Sequence, residues 1–354
     1  MISWTVIISF GMIRIVNGWR AANMNALNCS MDFNGEEPMV SIVCTAYNHE
    51  NYISKALDSF LMQHTNFPFE IIVNDDASTD KTAEIIKSYM AQYPDLIKGI
   101  FHEENQHNKG IKAGVFCVRK ARGKYIAVCE GDDFWTDSNK LQKQVDFMEA
   151  HPDYSLCVHS GYYAIENGDL DNKKLFRRFC ESKTVTMPEI LEGWSFPTAS
   201  FLYKNNGEKY AFAPYQGDCP NGDFALITYQ ATQGKIYYID EPMCAYRFQS
   251  IGSWNYQMRK NPERMRQATL KFVDMLERFD AFSSAAYHDS VESLRNKKMF
   301  SYWMSFPNLK KAKEYPELYK NITATTIIKN FSKNHFPTLW VFLYRFLIKF
   351  KICR

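Results

Sequence analysis

The sequence contains no G-x-G-x-x-G and no G-x-x-x-x-G-K-[ST], which excludes a dinucleotide fingerprint and a P-loop. It has no C-x-x-C pair and no zinc-finger spacing. Nine cysteines stand singly, at positions 29, 44, 117, 129, 157, 180, 219, 244 and 353. Several lie in apolar strand-like runs, which predicts reduced, buried thiols in a cytosolic protein. A strong excess of one charge is also missing. Lys and Arg number 42 against 39 Asp and Glu, a net charge of +3. With no recognition signature for RNA or DNA, nucleic acid is excluded as the expected partner. An apolar stretch at residues 2–16 is broken by Arg14. Its uninterrupted part is too short to span a bilayer, and no basic region precedes it as a signal peptide would require. Two expectations stand for this N-terminal extension, residues 1–37. Translation starts at Met31 and residues 1–30 lie upstream, or the segment touches a membrane.

What is present is enough apolar residue, 46% of 354, to bury a sizeable core and exclude wholesale disorder. From Met39 onward, short apolar runs alternate with helix-like segments. "MVSIVCTAY", "FEIIVND", "LIKGIFH" and "KYIAVCE" read as strands. Between and after them "NYISKALDSFLM", "STDKTAEIIKSYMAQYP", "NKGIKAGVFCVRKARG" and "DSNKLQKQVDFMEAHP" read as helices. In the second, Ser78, Thr79 and Asp80 are candidate N-caps; Gly123 closes the third. Such alternation predicts an α/β domain with a mostly parallel central sheet flanked by helices. Later strands are more mixed: "YSLCVHSGYYAI", "TASFLYK" and "KIYYIDEPMCAYRF", with a helix at "GDFALITYQATQG" before the last. Beyond Asn255 apolar residues recur at helical spacing, predicting a helical C-terminal extension.

Ligands of parallel sheets bind outside the carboxyl ends of the strands. Polar clusters stand at those ends: "YNHE", "NDDASTD" and "EGDDFW". The last holds three carboxylates with no Lys or Arg among them, an arrangement that costs several kcal/mol if buried unpaired (about that order). Two acids one residue apart, on a turn containing glycine, can converge on a hard divalent cation that takes its other ligands from water and phosphate. At the end of the second strand, Asp75 or Asp76 can accept N–H bonds from a nucleobase edge.

Taken together, "VSIVCTAYNHENYI", "EIIVNDDASTDKT", "NKGIKAGVFCVRKARGKYI" and "CEGDDFW" resemble glycosyltransferase family 2, inverting nucleotide-sugar enzymes of GT-A fold. The resemblance runs from about residue 40 to 253 and rests on the order and spacing of all four. It implies that residues 38–254 form the transferase domain. Thr45, Ala46 and Tyr47 would line the base pocket, Asp76 would hold the base edge beside Asp75, and Lys112 would face the base or diphosphate. Asp132 would ligate Mn²⁺ or Mg²⁺, with Glu130 and Gly131 beside it near the ribose. The family usually has Asp where this chain has Glu130. Asp133 would serve the site or only the turn. Asp223 would be the general base, with Asp218 as the substitute; a plain N-cap is the other role open to Asp223. Arg247, in "YRFQSIGSW", would close over the diphosphate. A His often stands where this chain has Gln249, which ligates metal poorly. His49 suits a cap and His159 a structural role, while Trp194 would stack on a sugar or pack in the core.

The resemblance implies transfer from a nucleotide-sugar donor, a UDP-sugar foremost, to a glycan or lipid-linked acceptor in bacterial surface polysaccharide synthesis. The tail, residues 336–354, is aromatic and basic and suits an anionic membrane surface; a helix packed on the body is its alternative. This places the protein in the cytoplasm, peripheral to the inner face of the cell membrane. Residues 255–335 form the helical extension. A silent sugar-nucleotide or glycan-binding protein on the same fold is the rival reading, and Glu130 and Gln249 are its features. A nucleotidyltransferase would carry a glycine-rich basic loop after the first strand, and "TAYNHENY" has none.

Overall fold

The computed structural model describes residues 36–165, 167–193, 196–207, 212–248, 258, 260–305, 308–320, 322 and 336. Residues 1–35, Trp194, Gln249 and nearly all of the basic aromatic tail lie outside the described residues. Strands β1 (Val40–Ala46), β2 (Phe69–Asp75), β3 (Ile97–Phe101) and β4 (Tyr125–Val128) pair in parallel in the order β3-β2-β1-β4. Next comes β9 (Leu202–Lys204), antiparallel to both β4 and β6 (Tyr154–Ala164). β6 therefore runs in the direction of β4, and β10 (Lys235–Arg247) is parallel to β6. The spine of the sheet is mostly parallel, with β9 and the two-residue β5 (Phe134–Trp135) running against it. β7 (Leu170–Phe176) and β8 (Lys183–Val185) add antiparallel edges to β6 and β10.

Both faces of the first strands are buried, which is why they read as continuous apolar runs instead of alternating ones. In β1, Val40, Ile42 and Cys44 enter one core while Val43 enters the other; in β2, Ile71 and Val73 oppose Ile72 in the same way. Each such side chain contributes roughly 1.5–3 kcal/mol by leaving water. One face is covered by α1 (Ile53–Leu61), α2 (Thr82–Gln92) and α4 (Lys140–Ala150). On the other pack α3 (Gly114–Lys120), α5 (Met187–Leu191), α6 (Gly222–Gln233), α7 (Pro262–Phe282) and α8 (His288–Ser305). Phe272, Met275, Leu276 and Phe279 of α7 join the same core as Leu156 and Val158 of β6. The C-terminal helices are thus built into the same core as the sheet.

Three local expectations change. The third helix is shorter than its pattern, because Gly110 turns left-handed at φ 78° after a single 3-10 turn at His107–Lys109. The α-helix begins only at Gly114. "TASFLYK" splits into a 3-10 turn, Thr198–Ser200, and a strand of three residues. Among the N-cap candidates, Asp80 bonds to the N–H of Thr82, whereas Ser78 and Thr79 bond to Asn48 of the neighbouring loop. Of the cysteines described, six are buried, Cys180 is exposed, and all seven are free thiols.

Candidate active site

Because β1, β2, β4, β6 and β10 share one direction, their carboxyl ends share one edge. There Ala46 sits opposite Asp75, and Arg247 opposite Ala164. Thr45 and Ala46 bind this edge together through their backbones: the Thr45 carbonyl accepts from Gly131 N–H, and the Ala46 carbonyl from Asp76 N–H, both at 2.9 Å. Tyr47 then points outward, 44% exposed, free to cover a planar ligand.

On the β1–β2 side, the loops lock together. Asn48 N–H donates to Ser78 Oγ, His49 N–H to Thr82 Oγ1, and Glu50 N–H to Asp80 Oδ2. Thr79 N–H donates back to Asn48 Oδ1, and Lys81 N–H to Glu50 Oε2. This network holds Ala77 at φ 60°, which costs an alanine about 1–2 kcal/mol. Asp76 is buried, and its two carboxylate oxygens accept the N–H groups of Gln106 and His107, at 2.7 and 3.1 Å. Asp75 accepts one weak bond, from Ser78 N–H at 3.2 Å, and its buried Oδ1 has no partner. Asp76 thus shapes the loop that follows β3, and Asp75 is the acid with an oxygen left for a ligand.

The acidic turn is the other half. Gly131 is required there: a Cβ would lie 2.9 Å from His49 Nδ1 and 3.0 Å from Ile53 Cδ1. Behind the turn, β5 anchors it. Trp135 is buried, packs tilted against Phe60 at 4.8 Å and donates Nε1–H to the Ala199 carbonyl at 3.0 Å; losing such a side chain to alanine costs roughly 3–5 kcal/mol. Asp133 accepts the N–H of Arg247 at 2.9 Å and is buried, so it serves the turn. Burial, then the charges of Asp132 and Glu130, push its carboxyl well above the usual range, against the pull of Arg247.

Glu130 and Asp132 make no hydrogen bond or ion pair through their carboxylates among the described residues. Water reaches Glu130, yet protein crowds around it. Its carboxyl is pushed up first by that crowding and then by the charges of Asp132 and Asp223; access to water moderates the first effect. Asp223 is therefore an electrostatic neighbour of the acidic turn, although 91 positions separate it from Asp132 in sequence. Such a pair of unpaired hard oxygen donors fits a divalent cation. Among the described residues no group of three or more His, Cys, Asp or Glu could hold a metal, so most of its ligands would come from water and phosphate.

Asp223 lies in the first turn of α6 and does not cap it. One oxygen accepts Phe224 N–H at 2.8 Å, the other Thr198 Oγ1–H at 3.3 Å. Burial raises its carboxyl to about 7 against those two bonds. It borders a small, partly open pocket lined by Ile190, Phe196, Phe201, Phe224 and Ile227. Thr198 was not singled out from sequence; its only signal is its place in "GWSFPTASF".

The other expected residues have partners of their own. Lys112 lies 5.9 Å over the Phe212 ring, with Asp218 and Cys219 as its charged or polar neighbours. It faces the loop that leads to Asp223 and is not joined to Asp75. Arg247 is buried behind the acidic turn, 4.8 Å from the Tyr52 ring and 5.0 Å from Phe134, and donates to the Asp132 carbonyl. His159 is buried, with Nδ1 2.6 Å from the Ser160 carbonyl oxygen. Burial, and then Lys140, push it well below the usual imidazole value.

Known proteins are similar to this chain. The model of "Glycosyl transferase family 2" matches residues 41–219, ending just before Asp223. An uncharacterized protein of Mycobacterium tuberculosis is 37% identical over 221 residues, 61% of this chain and 60% of its own length. This chain thus spans about 60% of the length of that relative. The putative glycosyltransferase EpsE of Bacillus subtilis is 40% identical over 120 residues, 34% of this chain and 41% of its own. Among solved structures, residues 1–349 of S. aureus TarS in complex with UDP align with a TM-score of 0.50 at 17% identity, over 79% of this chain and 91% of that one. That likeness is one of fold. With half of its length matched in order, and the edge of the sheet built as described, the chain belongs to glycosyltransferase family 2.

Proposed function

We propose that the protein transfers a sugar from a nucleotide-sugar donor to a hydroxyl of a glycan or lipid-linked acceptor, with inversion at the anomeric carbon. The observation that carries this reading is the convergence of Asp223, poised near neutrality, on the acidic turn of Glu130 and Asp132. A carboxyl at about 7 is matched to taking a proton at neutral pH. Asp223 accepts the acceptor's hydroxyl proton as that oxygen attacks the anomeric carbon. The bond from that carbon to the diphosphate breaks, and the nucleoside diphosphate leaves. Thr198 orients the carboxylate, and the apolar pocket beside it excludes competing water. Tyr47 and Asp75 hold the base, with Asp75 in place of Asp76 as the edge-binding acid, and Lys112 lies on the approach to Asp223. Asp132, with Glu130, would hold Mn²⁺ or Mg²⁺, whose chemistry is to neutralise charge on the diphosphate. TarS was crystallised with UDP, which supports a uridine donor.

No helix among the described residues is long and apolar enough to cross a membrane. We place the enzyme at the inner face of the cell membrane, in surface polysaccharide synthesis, through the basic aromatic tail. The test is nucleoside diphosphate release from UDP-, GDP- and dTDP-sugars with Mn²⁺ or Mg²⁺, with and without membrane extract as acceptor. Release from one donor class is expected. Tight binding of a nucleotide with no release from any sugar would replace the transferase reading with a silent binding protein.

A further inference from the structure

Lys55, on the first turn of α1, has no part in the family resemblance. Its ammonium donates to the Gly168 carbonyl at 2.6 Å and lies 4.2 Å over the Phe134 ring. Arg247 flanks the same ring and the same glycine. A Cβ on Gly168, which sits at φ 85°, would be 2.7 Å from Lys55 Nζ and 2.9 Å from Arg247 Nη2. The two cationic nitrogens are thus less than about 6 Å apart, a spacing at which one phosphate oxygen accepts from both at charge-assisted lengths. Arg247 is 2% exposed, and its buried Nε has no partner. Among the described residues, Lys55 is exposed and has only a neutral carbonyl as acceptor. Asp133 and Asp169 lie near the pair, but neither forms an ion pair with it: Asp133 bonds to Arg247 through the backbone N–H, and Asp169 bonds to Asn167. Burial, and then the charge of Arg247, lower the Lys55 ammonium, as expected of like charges held together. Through its bond to the Asp132 carbonyl, Arg247 puts this pair directly behind the acidic turn.

We propose that Lys55, paired with Arg247, is a phosphate-binding residue of the donor site, and that a phosphoryl oxygen of the nucleoside diphosphate takes the place of the Gly168 carbonyl on its ammonium. This rests on the transferase reading. It adds a residue from α1 to those that position the leaving diphosphate.

The test is calorimetric titration of the full chain with UDP, GDP and dTDP in Mn²⁺, then with the matching nucleoside and with orthophosphate. For the nucleotide that binds best, Lys55→Met should weaken binding about 10-fold and leave the nucleoside unchanged, while Lys55→Arg stays within about threefold. Unchanged nucleotide binding in Lys55→Met overturns the proposal. If orthophosphate binding is lost at the same time, the pair belongs to a phosphate on the acceptor and the donor assignment is likewise overturned. Equal weakening of nucleoside and nucleotide overturns it in favour of a role in packing. Failure of the unaltered protein to bind any of the three nucleotides removes the transferase reading and this one together.

Discussion

The carboxylates of the β1–β2 region and those of the acidic turn respond to their surroundings in opposite directions. At the amino end of β2, burial pushes Glu70 up, but hydrogen bonds from Arg122 N–H, Lys98 and Ser41 outweigh it and hold it below its usual value. Asp80 is lowered in the same way, by Thr82 and by Glu50 N–H against burial. At the acidic turn, Glu130, Asp133 and Asp223 are all raised, with burial the largest cause of each. One half is satisfied by its own chain. The other gathers negative charge that the described residues leave largely unpaired. Glu70 and Asp80 are scaffold, and the acidic turn is arranged for something brought from outside.

The sharpest break in that comparison is Asp223→Asn. Removing the proton acceptor should lower turnover about 10³-fold, within the range for general bases, while UDP affinity stays within a factor of about two. Single-turnover assays and calorimetry separate the two effects. Asp132→Asn comes next and acts differently. It should weaken Mn²⁺-dependent UDP binding by about 100-fold and leave metal-free binding unchanged, since an amide keeps the shape but not the charge. A loss of binding that is the same with and without Mn²⁺ would remove Asp132 as the metal ligand.

pH sharpens the contrast further. Asp223 accepts a proton only when ionised, so turnover should climb as pH rises through about 7. Stability should move the other way. A carboxyl raised by folding favours the folded state fully below its unfolded value, and that contribution is lost as pH rises through its folded value, about 7 for Asp223. Glu70 and Asp80 have the reverse sign, contributing above the ordinary carboxylate range and losing it as pH falls through their lowered values. Mn²⁺ should therefore raise the melting temperature at about pH 8 but not at about pH 4, where Glu130 and Asp133 are protonated. The alkaline increase should vanish in Asp132→Asn.

The sequence showed one half of this edge better than the other. Continuous apolar runs revealed β1, β2 and β4 because both of their faces are buried, and the acids at their ends stood out against them. The role of Thr198 was hidden, because a hydroxyl at 3.3 Å from Asp223 leaves no pattern in spacing. Lys55 looked like an ordinary exposed helix lysine, since its neighbour Arg247 is 192 positions away and joins it only through the parallel pairing of β6 with β10. Asp75 and Asp76 were indistinguishable as adjacent acids. What separates them is a tertiary fact, the two N–H groups of the loop after β3 that Asp76 accepts. Two-residue β5 is too short for any periodicity, and Gly110 cut the third helix at a position where one glycine is normally tolerated.

Asp80→Ala carries the smallest expected effect and tests whether the β1–β2 loops are scaffold alone. The change removes the acceptor for Thr82 N–H, Thr82 Oγ1–H and Glu50 N–H. Loss of a capping acid in a half-buried loop should cost about 1 kcal/mol. In urea this should shift the midpoint with the slope unchanged. Because Tyr47 and Asp75 are held by β1 and β2 themselves, UDP affinity should fall by less than about threefold. A larger loss of affinity with unaltered stability would mean that the interlocked loops, and not only Tyr47 and Asp75 at the strand ends, touch the nucleotide.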